Sequence, residues 1–316
     1  MKRRIILLLV VCLALPVSAK AEEIRWVNFD IPYESLRYAM EADIRTSEQE
    51  KHIGWIEVLA VAACRTGGKC SLKSVKKAFA DLSSDKAIEE VLDGVYKYYG
   101  YYHKAYEAVL GGLLGHYAVC VDGVWKMQYG LKAFSPIASG YGYSHCSDFG
   151  NQRSFGFARK HLGNDLMGSA GTPIIAVESG VVEALGWNRY GGWRVGIRSC
   201  DSKRYYYYAH LQKDRPFPAG LKEGDTVQAG DIIGYMGRTG YSDKENVNNI
   251  ETVHLHFGMQ LVFDESQKEC ISEIWIDVYN IVRLLAQHRS SVQYADGSFS
   301  RKNPFVDLDI EELDVD

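Results

Sequence analysis

The sequence has no excess of basic residues. Its 316 residues contain 36 Lys and Arg against 40 Asp and Glu, for a formal net charge of −4. Proteins that bind nucleic acid through its phosphates carry a basic stripe or patch, so the composition argues against nucleic acid as a partner. With 47% hydrophobic and 24% charged residues, the chain is instead typical of a globular protein with a packed core.

The N-terminus lacks an apolar run of membrane-spanning length. Ile5 to Val17 is apolar, but it is shorter than the roughly 20 residues that cross a bilayer. Three positive charges precede the run, and the small-residue motif AKA follows it at positions 19–21. This order is typical of a secretory signal peptide. We therefore expect residues 1–21 to be removed, and the mature chain to be exported, secreted or extracytoplasmic, with no transmembrane segment.

Cysteine is sparse, with seven in the chain. Cys12 lies inside the predicted signal peptide, which leaves six in the mature protein. An even number in an exported chain favours disulfides, although the sequence does not choose among the pairings. Buried free thiols are the alternative. The six are Cys64, Cys70, Cys120, Cys146, Cys200 and Cys270.

Residues 22–116 have the pattern of a helical region. Pro32 precedes the amphipathic run YESLRYAMEADIR, and Ser47 with Glu50 forms a capping box before WIEVLAVAA. A later helical run stops at Gly100, and YYHKAYEAVLGGLLGHY is predicted as a further helix. These helices are expected to pack as a small bundle. The region shows no catalytic constellation, and its role stays open.

After residue 117 the pattern becomes that of short strands. TPIIAVESGVVEALGW, KRYYYYAHL and TVHLHFGMQLVF carry β-branched or aromatic residues between turn signals, and no helix-length segment interrupts residues 161–265. The fold class is therefore predicted as α+β, with an antiparallel β domain at 117–290 that ends in a helix over 272–288. The acidic tail at 291–316 is expected to be disordered.

A His-x-His pair lies in the last of these strands. His254 and His256 are two residues apart, so both side chains face one side of the strand, with Leu255 and Phe257 facing the other. Such a pair is most often structural, but a metal ion explains two imidazoles aimed into one space. His161, Asp165 and one of the pair would supply the three protein ligands of a catalytic zinc. The other histidine and His210 could then move protons.

The order of these motifs resembles one known family. His161-x-x-x-Asp165 is followed by YAHL, by the glycine-rich GDTVQAGDIIGYMGRTG, and by HLHF. This order is similar to that of the lysostaphin/LytM-type zinc endopeptidases, which cut peptide bonds in bacterial peptidoglycan. The resemblance covers roughly residues 134–262. The helical HEXXH motif of thermolysin-like enzymes is absent.

The resemblance implies an activity and a site. His161, Asp165 and His256 would bind one zinc ion, and His210 and His254 would be the catalytic histidines. A peptidoglycan peptide would be the substrate, with Gly-Gly, D-Ala-linked and stem-peptide bonds all open. A non-catalytic wall-binding or regulatory module, and a zinc hydrolase acting on another substrate, are the alternatives.

The surroundings of the motifs depart from the family pattern at three places. Asn164 precedes Asp165 where an aliphatic residue is common, and Gly258 follows HLHF where an acidic residue is common. A longer loop, residues 241–251, leads into the last strand. Three aromatic residues of the turn WNRYGGW are candidates for binding substrate, namely Trp187, Tyr190 and Trp193. The helical region could target the wall, dock a partner protein or cover the cleft.

Overall fold

A computed structural model describes residues 24–268 and 272–311. The predicted signal peptide, Cys270 and the end of the acidic tail lie outside the described residues. The helices are α1 (Tyr33–Thr46), α2 (Trp55–Thr66), α3 (Leu72–Leu82), α4 (Ile88–Val91), α5 (Tyr99–Leu110), α6 (Tyr279–Leu285) and α7 (Leu308–Glu311). Short 3₁₀ turns occupy Tyr96–Tyr98 and Glu265–Lys268.

The remaining elements are short strands. In chain order they are β1 (Leu114–Val121), β2 (Val124–Leu131), β3 (Ser144–His145), β4 (Gln152–Arg153), β5 (Arg159–Lys160), β6 (Asn164–Met167), β7 (Pro173–Ile175), β8 (Gly180–Asn188), β9 (Gly192–Ser199), β10 (Arg204–Ala209), β11 (Thr226–Val227), β12 (Ile232–Tyr235), β13 (His254–Leu261), β14 (Ile274–Ile276), β15 (Val292–Ala295), β16 (Ser298–Arg301) and β17 (Phe305–Asp307).

Eight of these strands form the main sheet, in the order β11-β8-β9-β10-β13-β6-β3, with β14 added beside β13. Every strand pair in the sheet is antiparallel. The helices of residues 33–110 come first and the sheet follows. The α+β class predicted from the sequence is therefore confirmed.

Helix α2 begins later than the sequence suggested. Ser47 is the C-cap of α1 rather than the N-cap of a new helix, and α2 starts after Gly54. The buried carboxylate of Asp43 accepts a hydrogen bond from the backbone N–H of Trp55 at 2.8 Å. A side chain from the preceding helix thus accepts a hydrogen bond from a free N–H group in the first turn of α2. A search for capping residues next to the helix in sequence does not find such a partner.

The predicted helix over residues 101–117 is too long. Helix α5 ends at Leu110, and strand β1 begins at Leu114. A side chain at Gly112 would place its Cβ 1.6 Å from Oε1 of Glu178. This close approach of backbone to a buried carboxylate requires glycine and ends the helix there.

Residues 291–311 contain regular strands and a short helix, which corrects the expectation of disorder for this part of the tail. Strand β17 pairs with β1, and Phe305 is buried against the ring of Tyr117 at 5.3 Å. Lys132 donates to the carboxylates of Asp307 at 2.8 Å and Asp309 at 2.7 Å. Residues 272–288 likewise split into strand β14 and the shorter helix α6. The acidic segment folds because a buried lysine neutralises it.

The five described cysteines are free thiols, so the structure shows no disulfide among them. Cys64 and Cys70 are both buried, and burial raises the pKa of each thiol to about 11. Cys64 and Cys70 are therefore buried free thiols, which was the alternative to disulfides. Between residues 24 and 311, apart from the gap at 269–271, no helix has the length and apolarity needed to cross a bilayer.

The helices and the sheet share one hydrophobic core. Leu36 of α1, Val58 of α2 and Phe257 of β13 belong to the same buried cluster. Arg204, 1% exposed, joins the two parts by a charged network. Its guanidinium donates to both carboxylate oxygens of Glu178 and to the carbonyl of Ala108 near the end of α5. The helical region is thus packed as part of the same folded unit.

We predict that Arg204→Ala destabilises the protein strongly. Removal of one partner leaves the Glu178 carboxylate buried and uncompensated, which typically costs about 3–5 kcal/mol. The free energy of unfolding from urea titration measures the change. Arg37→Ala, which breaks an exposed ion pair with Glu34, is the control and is expected to change stability little. Equal effects of the two substitutions would contradict the role given to Arg204.

Candidate active site

Three predicted ligands meet beside two neighbouring inner strands of the main sheet, β13 and β6. His256 on β13 is the direct cross-strand partner of Asp165 on β6, and His161 lies in the loop before β6. Nε2 of His161 is 2.7 Å from Nδ1 of His256 and 3.1 Å from Oδ1 of Asp165. Nδ1 of His256 is 3.4 Å from the same oxygen. Strand pairing therefore brings together residues that are far apart in the sequence.

A second layer of polar groups orients these side chains. The backbone carbonyl of Asp148 lies 3.1 Å from Nδ1 of His161 and can only accept, so this nitrogen carries the proton and Nε2 is free to ligate. Arg153 donates to Oδ2 of Asp148 at 2.8 Å and to Oδ2 of Asp165 at 3.0 Å. The remaining oxygen of Asp165, Oδ1, therefore faces the two histidines.

The donor set fits a zinc ion. Oδ1 of Asp165 is buried and has no hydrogen-bond partner in the described chain, which is costly unless a cation satisfies it. Zinc bonds of about 2.0–2.1 Å in a tetrahedral site place neighbouring ligand atoms about 3.3 Å apart. The three observed separations, 2.7, 3.1 and 3.4 Å, bracket this spacing. Among the described residues, His161, Asp165 and His256 are the one group suited to a metal.

The surroundings favour the metal-binding protonation state at Asp165 and His256 but not at His161. Burial alone would raise the pKa of Asp165, but its contacts with His161 and His256 hold it well below its usual range. Burial lowers the pKa of His256, which favours the neutral ring that binds metal. Burial also opposes protonation of His161, but Asp148 and Asp165 outweigh it and raise its pKa to about 9. A metal ion must therefore compete with a proton at His161.

His210 and His254 lie beside this centre with their rings 4.8 Å apart. Nδ1 of His210 is 2.9 Å from the carbonyl of Thr239, and Nδ1 of His254 is 2.9 Å from the carbonyl of Thr252. A carbonyl accepts only, so each neutral ring carries its proton on Nδ1 and a lone pair on Nε2. Burial lowers the pKa of His210 well below its ordinary value. Both rings are thus arranged as proton acceptors.

The backbone at His210 is strained. This residue has a positive φ of 63°, and its N–H donates to the carbonyl of Gly191 at 2.7 Å. Left-handed conformations of non-glycine residues cost about 1–3 kcal/mol and concentrate at functional sites. The bend turns the imidazole at the end of β10 towards His254 and His256.

The three candidate aromatic residues separate into two groups. Tyr190 lines the cleft beside the histidines. Trp193 lies on the other side of the sheet, two residues before the buried Val195, and packs against Phe217 and Trp187 with ring centres 5.8 Å away in each case. The structure therefore removes Trp187 and Trp193 from the cleft wall, because strand alternation directs them towards the core.

Several cleft residues carry no recognisable sequence motif. Tyr241, from the loop at 241–251, stacks on Phe155 at 4.9 Å and completes one wall. Asp148 and Arg153 lie in the segment DFGNQRS. This segment is similar to the family, but the sequence analysis assigned no role to either side chain. Arg159, Lys160, Leu162, Tyr207 and Ala209 also line the cleft.

Comparisons with known proteins agree with this geometry. Residues 159–268 match Peptidase family M23. This part of the chain is an M23 peptidase domain. An L-Ala–D-Glu endopeptidase of Bacillus subtilis is 36% identical over 148 residues, which cover 47% of this chain and 44% of that protein. Lysostaphin of Staphylococcus simulans is 39% identical over 98 residues, 31% of this chain and 17% of that protein.

Each of these matches spans less than half of the relative's length. A crystal structure from Ruminococcus gnavus, named for the endopeptidase LytM, covers more of the chain. It aligns with 84% of this protein and 91% of its own chain, with a TM-score of 0.58 and 22% sequence identity. That likeness shows that the overall fold is of the LytM type.

We predict that His161→Ala and Asp165→Ala abolish stoichiometric zinc binding, because each removes a ligand atom. His210→Ala and His254→Ala are expected to keep the metal, since neither ring lies in the group of three. Metal analysis of the folded, purified variants measures the difference. Retention of one zinc per chain by Asp165→Ala would refute the ligand assignment.

We also predict that Asp148→Asn weakens zinc binding by about 10–100-fold, because the Asp148 carboxylate lies 3.2 Å from Nδ1 of His161 and pairs with Arg153. Competition titration with a zinc chelator measures the affinity. Asp243→Asn is the matched control, since this carboxylate is 77% exposed and pairs with Arg189 outside the metal group. An unchanged affinity in Asp148→Asn would show that the second layer does not support the site.

Proposed function

We propose that this protein is an exported, zinc-dependent endopeptidase that hydrolyses peptide bonds of bacterial peptidoglycan. The observation that supports it most directly is the unpartnered, buried Oδ1 of Asp165, which faces His161 and His256. Two further histidines lie beside it in the same cleft. The name of one relative, L-Ala–D-Glu endopeptidase, agrees with hydrolysis of a peptide bond.

His161, Asp165 and His256 would hold the zinc ion. When bound, zinc supplies a Lewis acid that polarises a carbonyl and makes water more acidic. Arg153 and Asp148 hold Asp165 and His161 in place. All three proposed ligands line the cleft, so a bound ion would be accessible from it. Tyr190 and Tyr241 form the walls between which an extended peptide would lie.

The two remaining histidines would handle the protons. With its Nδ1–H held by Thr252, His254 presents the lone pair of Nε2 and acts as general base towards water. His210 is neutral because burial lowers its pKa, so Nε2 becomes a donor only after it takes up a proton. Once the proton that His254 removes from water has been passed on to it, His210 is a strong acid, suited to stabilise negative charge on the carbonyl oxygen and to return that proton to the leaving amine.

The retained machinery argues against a non-catalytic module. A domain that only binds the wall has no need for an ordered pair of proton acceptors next to a metal site, and here His210 is held in a strained conformation. The signal-like residues 1–21 support export of the chain. The helical region, which packs on the same core, is proposed to stabilise the peptidase domain as well as to offer a surface for a partner protein.

We predict that His210→Ala and His254→Ala each lower the rate of peptidoglycan hydrolysis by about 10²–10⁴-fold while zinc content is preserved. The rate is measured by the appearance of new amines from purified peptidoglycan. Chelation is expected to abolish hydrolysis, and added zinc to restore it.

His116→Ala provides the control, because this imidazole is 64% exposed and is not among the residues that line the cleft. A His210→Ala variant that hydrolyses at the wild-type rate would contradict the role of this residue. A zinc-loaded wild-type protein that releases no amines from peptidoglycan would contradict the proposed function itself.

A further inference from the structure

Arg159 occupies an unusual position at the edge of the cleft. Its guanidinium lies over the ring of Tyr190, with Cζ 4.6 Å from the ring centre, and near the ring of Tyr241 at 5.3 Å. Nη1 donates to the backbone carbonyl of Phe155 at 2.8 Å. The side chain is half-buried and lines the same cleft as the histidines. Two aromatic rings and one hydrogen bond therefore hold a charged group in a defined orientation.

The charge of Arg159 has no acidic partner. No carboxylate between residues 24 and 268, or between 272 and 311, lies within ion-pair distance of it. The two nearby arginines differ in this respect. Arg153 is paired with Asp148 and Asp165, and Arg189 is paired with Asp243 at 3.2 Å. Arg159 is therefore a cation at the cleft that nothing in its surroundings neutralises.

The chemistry of the guanidinium selects the kind of group that would bind there. Its N–H donors form a planar fork that matches the two oxygens of a carboxylate, and only one donor bond is used within the chain. Stacking on tyrosine covers a face of the plane and leaves its edge available. Because the side chain is already ordered, binding an anion costs less conformational entropy.

The guanidinium of Arg159 lies close to the histidines at which the peptide bond would be cut. The ring of Tyr241, which contacts Arg159, lies 5.9 Å from the ring of His210. The exposed Lys160 lines the cleft next to it and adds a second positive charge. A carboxylate held by Arg159 would thus belong to a residue close to the peptide bond that is cut.

We propose that Arg159, stacked on Tyr190 and Tyr241, is a substrate-binding residue that recognises a free carboxylate of the peptide next to the scissile bond. This proposal rests on the proposed function. Recognition of a carboxylate by Arg159 would favour acidic peptides as substrates over neutral cross-bridges made of glycine. The carboxylate belongs either to a side branch of the peptide, such as a glutamate of the stem, or to its C-terminus.

The test compares zinc-loaded wild type, Arg159→Gln and Arg159→Lys on defined peptidoglycan peptides. One pair of peptides differs only in a glutamate carboxylate or its amide, a second pair only in a C-terminal carboxylate or amide, and a neutral glycine bridge completes the set. We expect wild type to show a kcat/KM about tenfold higher for the acid of one pair. The pair that shows the preference identifies the source of the carboxylate.

Arg159→Gln is expected to lose this preference, with kcat/KM for the acid falling to that for the amide, and Arg159→Lys to keep part of it. Arg189→Gln is the matched control, because Arg189 also stacks on Tyr190 but has an acidic partner. General damage to the loop would lower the rates on acid and amide together and leave their ratio unchanged. Such an unchanged ratio, or a wild type without preference, would overturn the proposal while hydrolysis persists.

Binding separates this proposal from the proposed function. The zinc-loaded His210→Ala variant, with and without Arg159→Gln, is titrated with the same acid and amide peptides. A tighter Kd for the acid, lost with Arg159→Gln, would support carboxylate recognition even if wild type hydrolysed none of the peptides. Equal Kd values for acid and amide would overturn it independently of any turnover.

Discussion

The rest of the site depends on the convergence of three polar atoms in a buried place. Nε2 of His161, Oδ1 of Asp165 and Nδ1 of His256 lie within 3.4 Å of one another, and the oxygen has no hydrogen-bond partner. Such an arrangement is unfavourable by itself, because buried polar groups need partners. It persists because Asp148 and Arg153 hold the outer atoms of two of these side chains from behind.

The proposed proton-transfer pair depends on the same scaffold. Strand β13 carries both His254 and His256, so the sheet that positions a proposed ligand also positions the proposed base. His210 reaches the pair from the neighbouring strand only through a left-handed turn, and that turn is held by the carbonyl of Gly191. The sheet is in turn supported by the helical region, because Arg204 ties the end of α5 to buried Glu178. Site and helices are therefore parts of one structural unit.

Much of this could be predicted from local patterns. The spacing of His254 and His256 requires that both face one side of a strand, and the switch from helical to alternating patterns marks the start of the sheet region. The errors arose where distant residues decide the local structure. Helix α5 is shorter than predicted because the backbone at Gly112 passes close to the buried carboxylate of Glu178. The acidic segment folds because Lys132 binds Asp307. Helix α2 is capped by Asp43, which belongs to the preceding helix.

The sequence by itself determined the α+β class and the LytM-type resemblance, since strand periodicity and the order of motifs can be read along the chain. It also predicted the five histidine and aspartate residues of the candidate centre. Only the tertiary structure decided what surrounds them. It placed Trp193 on the core side of the sheet and Arg159 at the cleft, and it brought Asp148 behind His161. These placements depend on strand register and loop packing, which arise from contacts between residues far apart in the chain.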